Sequence, residues 1–193
     1  MVVHGAGRVP ELDDLDLDRA GVHREKRGVA VNDYLQSVSN PAVYAGGDAA
    51  ASGPALTPKA DHDADVLATN LLEGNRRTVN YDGIASAVFS IPPLASAGLT
   101  EAAARAAGLK FRASRQDTST SFNTRRVGET ASGFKVLIEE GSDRILGAHV
   151  LGPNAAEVIN LFAIAIRLRV PAADLKQVMY AYPTSGSDIR FML

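Results

Sequence analysis

Apolar and polar positions alternate in different ways along the two ends of this chain. Near the start, Val2-Val3 runs into His4-Gly5-Ala6-Gly7, which reads as the end of a buried strand entering a glycine turn. Residues 29–31 (Val-Ala-Val) and 42–45 (Ala-Val-Tyr-Ala) are short apolar runs bounded by Gly, Asn and Pro, the pattern of buried strands. Gly46-Gly47-Asp48 follows the second run directly. Thr57-Pro58 then opens a helical pattern through Ala60, Ala64, Leu67, Ala68 and Leu71, with Gly74-Asn75 ending it. Pro58 suits a first helical position, where its fixed φ is helical and its missing N–H has no partner to lose. The order strand, glycine turn, helix leaves backbone N–H groups of the helix N-terminus near the strand's carboxyl end.

Residues 75–83 form a polar connector and the expected domain boundary. Beyond it the pattern changes. Val88-Phe89-Ser90-Ile91 reads as a strand stopped by Pro92-Pro93. Thr100 is placed to cap a helix over 101–107, with Gly108 at its left-handed end. Residues 110–115 alternate like a strand. Residues 134–140 and 144–151 flank the turn Gly141-Ser142-Asp143 and predict an antiparallel hairpin. Residues 154–169 predict a long helix, and a shorter one starts near Pro171. The expected fold is therefore α+β: an antiparallel sheet packed with helices over 84–193, preceded by an incomplete α/β segment over 1–80.

The 154–169 helix is apolar nearly all round; Glu157, Asn160 and Arg167 form its one polar stripe. Such a helix must be covered nearly all round. A small domain has one sheet face to offer, so the rest is expected to meet a second copy of the chain or a neighbouring domain.

Composition narrows the functions. The chain has 193 residues, 46% of them hydrophobic and 22% charged, with a formal net charge of −2. These are globular values, and the charge is wrong for a general nucleic-acid binder. With no cysteine there is no disulfide, thiolate metal site or thiol nucleophile. No apolar run is long enough to span a membrane and the N-terminus lacks a signal-peptide shape, so the expected location is cytoplasmic. His4, His23, His62 and His149 lack metal-site spacing. Asp61-His62-Asp63 with Asp65 reads as a solvated helix face, and no metal site is expected.

Several segments, taken in order, carry a resemblance. They are Gly7-Arg8-Val9-Pro10, Tyr44-Ala45-Gly46-Gly47-Asp48, Leu56-Thr57-Pro58-Lys59-Ala60, Ala97-Gly98-Leu99-Thr100-Glu101, Gly133-Phe134-Lys135-Val136, Ile145-Leu146-Gly147-Ala148-His149 and Tyr182-Pro183-Thr184. Together they resemble the C-terminal part of the pyridine nucleotide–disulfide oxidoreductases, the flavoproteins that include glutathione reductase, dihydrolipoamide dehydrogenase and mercuric reductase. The resemblance implies a remnant of the FAD-binding domain over 1–80 and a dimerisation domain over 84–193. It implies a homodimer, and in a parent enzyme hydride transfer from NAD(P)H to FAD and on to an acceptor. Gly47 and Asp48 would meet the flavin's ribitol chain, with Asp48 as hydroxyl acceptor. Thr57, Pro58 and Ala60 would meet the ring edge through the helix N-terminus. Read without the family, Asp48 is a turn-capping residue and Thr57 a helix cap.

The family's Gly-x-Gly-x-x-Gly turn, redox cysteine pair and nicotinamide-nucleotide domain are missing. The expectation is a piece of a larger flavoenzyme, inert alone; the alternative is a non-enzymatic homodimeric binding module that reuses the fold. In the family a histidine stands at the position of Tyr182 and a glutamate at that of Ser187. Tyr182 is thus the candidate catalytic replacement, with Pro183 beside it facing the partner's flavin. A phenol titrating near 10 is a poorer proton shuttle at neutral pH than an imidazole near 6.5.

Overall fold

A computed structural model describes all of residues 1–193 and divides them into two compact units, Met1–Tyr81 and Asp82–Leu193. The second unit holds the larger apolar core. Its five strands are β3 (Ala85–Val88), β4 (Leu94–Gly98), β5 (Phe111–Asp117), β6 (Gly133–Glu139) and β7 (Ile145–Leu151), in sheet order β3-β4-β7-β6-β5, every pairing antiparallel. The predicted hairpin is β6–β7, with Phe134 opposite Val150 and Val136 opposite Ala148. Helix α2 (Glu101–Ala106) starts on Thr100, whose side chain accepts from the Ala103 N–H, as its sequence position suggested. Short α3 (Phe122–Arg126), which the apolar pattern does not announce, follows β5.

Helix α4 (Ala155–Arg167) lays Ala155, Val158, Ile159, Phe162 and Ala165 on the sheet against Val136, Ile138, Ala148 and Val150. Helices α5 (Ala172–Gln177) and α6 (Ile189–Met192) add Ala172, Ile189 and Met192 to the same cluster. This coverage corrects the argument for a partner. Among the large apolar residues of 154–169, only Ile164 and Leu168 remain exposed, because small Ala85 and Ala87 and the two short helices cover what one sheet face does not. Bare apolar residues lie on the β3–β4 connection, where Phe89 is 86% and Ile91 97% exposed, and on the C-terminal segment, where Met179 is 98% exposed.

That connection also corrects a strand. β3 ends at Val88, and Phe89–Ile91 lie outside the sheet. The next strand, β4, is Leu-Ala-Ser-Ala-Gly, whose Ala95 and Ala97 are buried. Alternating alanine and serine carry too little hydrophobic contrast for the pattern to show.

The first unit is loop-rich. Strands β1 (Arg24–Glu25) and β2 (Gly28–Val29) make a two-residue ladder, and one isolated parallel bridge joins Val29 to Ala50. Two expected strands are absent. Val2 and Val3 are exposed and unpaired, since a strand's N–H and C=O groups need a ladder partner. Residues 42–45 make only the single bridge Gln36–Tyr44, in a loop where Ser37 N donates to Val43 O and Ala45 N to Leu35 O. Helix α1 (Thr57–Glu73) is where the sequence put it, with proline at its start. Its buried face is not the expected one. Lys59, Asp63, Val66 and Asn70 are enclosed, whereas Ala64, Ala68 and Leu71 are exposed.

Candidate functional site

The Gly46-Gly47-Asp48 turn sits on α1. Gly46 is extended, and a Cβ there would lie 2.6 Å from Leu67 Cδ1 and 3.1 Å from Asp63 Cβ. Gly47 has φ +59, a left-handed conformation that glycine adopts without strain, and a short 3-10 turn (Gly47–Ala49) begins there. The two glycines therefore let the backbone approach the helix and then bend away from it.

One buried ion pair holds the Gly47 peptide at both ends. Lys59 Nζ lies 2.8 Å from Asp63 Oδ2, with 1% and 0% of these side chains exposed. The same ammonium donates to Gly47 O at 2.6 Å, and Gly47 N donates to Asp63 Oδ2 at 2.8 Å. The Tyr81 hydroxyl donates to Asp63 Oδ1 at 2.8 Å and contacts Ser52 Oγ at 3.3 Å. Burial, reinforced by the Asp63 hydrogen bond and charge and opposed by the Ser52 contact, pushes the Tyr81 phenol up to about 12. A charge enclosed this deeply is tolerated only when paired and hydrogen-bonded, and here both ions are. The reading of Asp61–Asp65 as a solvated face thus fails at Asp63. Burial follows from the fourth-residue spacing of Lys59 and Asp63, which sets both on the face that meets the glycine turn.

Beyond this clamp the turn faces solvent. Asp48 has a half-exposed side chain, 3.8 Å from Arg8. It borders a cavity of about 190 Å³ that Arg8, Lys26, Arg27, Gly47 and Ser52 also line. The Arg27 guanidinium donates to the Gly53 carbonyl. Next to the turn, α1 begins at Leu56 without a side-chain cap; Thr57 and Pro58 are exposed, and Ala60 packs under Gly47. The rim thus combines a carboxylate acceptor for hydroxyls with three cationic side chains; the uncapped N-terminus of α1, which favours electron-rich groups, follows in the chain after the last lining residue, Ala55.

Gly47, Asp48, Thr57, Pro58 and Ala60 all belong to the unit Met1–Tyr81, where Ala60 lies against Gly47. Tyr182 and Pro183 belong to the other unit, on an exposed segment before a 3-10 turn capped reciprocally by Thr184 and Ser187. Ser187 is buried in that capping box, and Asp188 accepts from Asn123 Nδ2 at 2.8 Å. No group of three or more His, Cys, Asp or Glu side chains could hold a metal ion. No helix is long and apolar enough to cross a membrane. Sequence reasoning missed Lys59, Asp63 and Tyr81; the oppositely charged i,i+4 pair stands in the helix that follows the double glycine, twelve residues on, and by itself resembles a solvated face.

Comparison with known proteins extends over nearly the whole chain. Residues 84–192 match the family model described as pyridine nucleotide-disulphide oxidoreductase, dimerisation domain. Residues 1–64 match the model described as pyridine nucleotide-disulphide oxidoreductase. An uncharacterized 19.7 kDa protein in the mercuric resistance operon of Staphylococcus aureus is 47% identical over 93% of this chain and 100% of its own length. The mitochondrial dihydrolipoyl dehydrogenase 1 of Arabidopsis thaliana is 32% identical over 98% of this chain, which spans 37% of that enzyme. Among solved structures, a Cu(II) complex of the HOCl-induced flavoprotein disulfide reductase RclA from Escherichia coli shares the fold, with a TM-score of 0.83 at 22% identity. The match covers 97% of this chain and 44% of that one. With both family models in the same order as the two structural units, the chain belongs to the pyridine nucleotide–disulphide oxidoreductases.

Proposed function

We propose that this chain supplies the flavin-contacting turn and the dimer-forming domain of an FAD-dependent pyridine nucleotide oxidoreductase. The observation that carries the reading is the Gly47 peptide, fixed by a fully buried Lys59–Asp63 pair while Asp48 is left half-exposed at a cavity rim. Fixing a backbone this firmly beside an open acceptor suits recognition of a polyol. FAD would meet Asp48 through its ribitol hydroxyls and the first turn of α1, at Thr57, Pro58 and Ala60, through its ring edge. Bound there, it would supply hydride acceptance from NAD(P)H in an enzyme that also has the missing nucleotide-binding parts.

The fit is partial. At about 190 Å³ the cavity is smaller than the roughly 300–1,000 Å³ of pockets that enclose a whole small ligand. The pyrophosphate-binding glycine turn is also absent from the sequence. Alone, the chain should therefore bind FAD weakly and catalyse nothing. Residues 84–193 would form the homodimer, a role supported by the description of the matching family model and by bare Phe89 and Ile91. Tyr182, in the family's histidine position, would not shuttle protons as an imidazole does. Cytoplasmic residence is part of the same proposal.

Equilibrium dialysis of the chain against FAD tests the site. Asp48→Ala should weaken binding by about tenfold, the scale of a hydrogen bond to a charged group. Equal binding by both proteins would overturn the assignment of Asp48, and a monomer in sedimentation at high micromolar concentration would remove the dimer. The Staphylococcus aureus relative, matched over its whole length, favours a second reading: a homodimeric module without redox chemistry. A dimer with no measurable FAD affinity would support that module.

A further inference from the structure

We propose that the unit Asp82–Leu193 has a binding cavity of its own, built for a small organic ammonium on a compact apolar body. The cavity, about 280 Å³, is lined by residues of β5, α3, β6, β7 and the C-terminal turn. That is close to the lower end of ligand pockets and far above the share of a single water, near 30 Å³.

Its chemistry centres on Asn123, which is only 6% exposed and lines it. The side-chain Nδ2 donates to Thr184 O at 3.1 Å and to Asp188 Oδ2 at 2.8 Å. Both partners are acceptors, so the amide has one orientation. Its Oδ1 is then left inside the protein with no hydrogen-bond partner, and it is the one buried side-chain polar atom in this state. A buried carbonyl without a donor is destabilising, and a ligand that brings the donor removes that penalty.

Nearby hydroxyls are already engaged. Thr118 pairs with Ser132 at 2.7 Å, Ser121 with Thr124 at 2.9 Å, and Ser185 accepts from Asn154 at 3.0 Å. The carboxylate of Asp188 also lines the cavity, and its one side-chain hydrogen bond is with Asn123. Acceptors without other donors therefore stand beside a negative charge, while Phe134, Val158 and Phe191 supply apolar wall. A primary ammonium has the donors for Asn123 Oδ1 and the charge for Asp188, and its apolar body fits the wall. None of these residues takes part in the Gly47–Asp48 site.

The test is a titration of the full chain with benzylammonium chloride, benzyl alcohol and ethylbenzene, followed through backbone amide NMR shifts. Saturable shifts are expected at Asn123, Gly133, Gly152 and Ser185. Benzylammonium should bind about tenfold more tightly than the neutral alcohol, and ethylbenzene more weakly than either. Asp188→Asn keeps an acceptor for Asn123 and should lose only the preference for the cation; Asn123→Leu should lose binding of both polar probes. If Asn123→Leu misfolds, as amide dispersion will reveal, Asp188→Asn alone decides the question. No saturable shift at these amides with any probe means that ordered water alone fills the cavity and overturns the proposal. Equal affinity for the alcohol and the ammonium overturns the ammonium assignment.

Discussion

In residues 82–193 the enclosed large side chains are Phe162, Leu137, Ile138, Ile159, Ile189 and Val136, all apolar. In residues 1–81 they are Lys59, Asp63 and Asn70 beside Leu35 and Val66. The apolar cluster of the first unit is correspondingly small, centred on Leu12, Val22 and Val29. Its loops are tied by polar side chains instead. Buried Asn70 alone donates to Tyr34 O and Arg77 O and accepts from the N–H groups of Arg76 and Arg77. Area burial is non-directional and tolerates small shifts, whereas an ion pair or saturated amide fixes particular atoms. The unit with the open carboxylate rim is thus the one positioned atom by atom, and the unit with the sheet is the one held by area.

Truncating the sheet unit's central side chain should have the largest effect. Phe162→Ala removes a fully enclosed ring from α4 and should cost about 3–5 kcal/mol. The check is loss of hydrogen-exchange protection in β6 and β7. Protection unchanged to within about 1 kcal/mol would mean that area burial is not what holds this unit.

The matching change in the first unit is polar. Asp63→Leu strands the Lys59 ammonium and two backbone or hydroxyl donors, and removal of one partner from a buried pair costs about 3–5 kcal/mol. Lys59→Met with Asp63→Leu should cost less than the sum of the single changes, because neither leaves an unpaired buried charge in the other's presence. Exchange protection of the Gly47 and Ala50 amides reads this out. Additive effects would show that the pair is a passenger on apolar packing, and the contrast between the units would fail.

The same contrast explains what could be read from the sequence. The β6–β7 hairpin, the Thr100 cap and α4 are legible because their signals are local: alternation on both sides of a Gly-Ser-Asp turn, a capping hydroxyl, a sustained apolar helix. β4 is illegible because its buried residues are alanines. Val2-Val3 and residues 42–45 mislead because an apolar run states a preference for burial and says nothing about whether a ladder partner is present. At the site, Gly47 and Asp48 stand out through their turn chemistry. Lys59 and Asp63 do not, since a charged pair one helical turn apart is the usual mark of a solvated face. The close approach of Gly46 to α1, with the Gly47 and Tyr81 contacts, turns that face inward. Asn123 carries no local signal; its partners Thr184 and Asp188 are more than 60 residues away.

A smaller effect probes Tyr81. Tyr81→Phe deletes the hydroxyl donated to Asp63 and should cost about 1.5 kcal/mol, the scale of a hydrogen bond to a charged group. In the unaltered protein, tyrosinate absorbance should show one phenol titrating near 12. Between the ordinary value of 10.0 and about 12 the unfolded chain releases this proton while the folded chain keeps it. The unit should therefore lose stability as pH rises through that window, and Tyr81→Phe should not show that loss. An ordinary phenol titration would indicate that the Tyr81 hydroxyl is not buried against Asp63.

The smallest effect is expected from a polar contact on the surface of the sheet unit. Glu101 accepts from Arg105 at 2.7 Å and from Lys135 at 2.9 Å, joining α2 to β6. These bonds hold its carboxyl well down, at about 2, against an ordinary 4.5. The sign follows: the contribution is complete above 4.5 and is lost as pH falls through 2, because the unfolded chain takes up the proton first. Solvent screens such exposed pairs, so a displaced titration need not mean much folding energy. Carboxyl NMR should find the low midpoint, while Glu101→Gln leaves β6 protection nearly unchanged. If acid between pH 4.5 and 2 strips β6 of protection in the parent, and Glu101→Gln removes that dependence, then the sheet unit too leans on charge. The distinction would then rest on Lys59 and Asp63 being enclosed and Glu101 not.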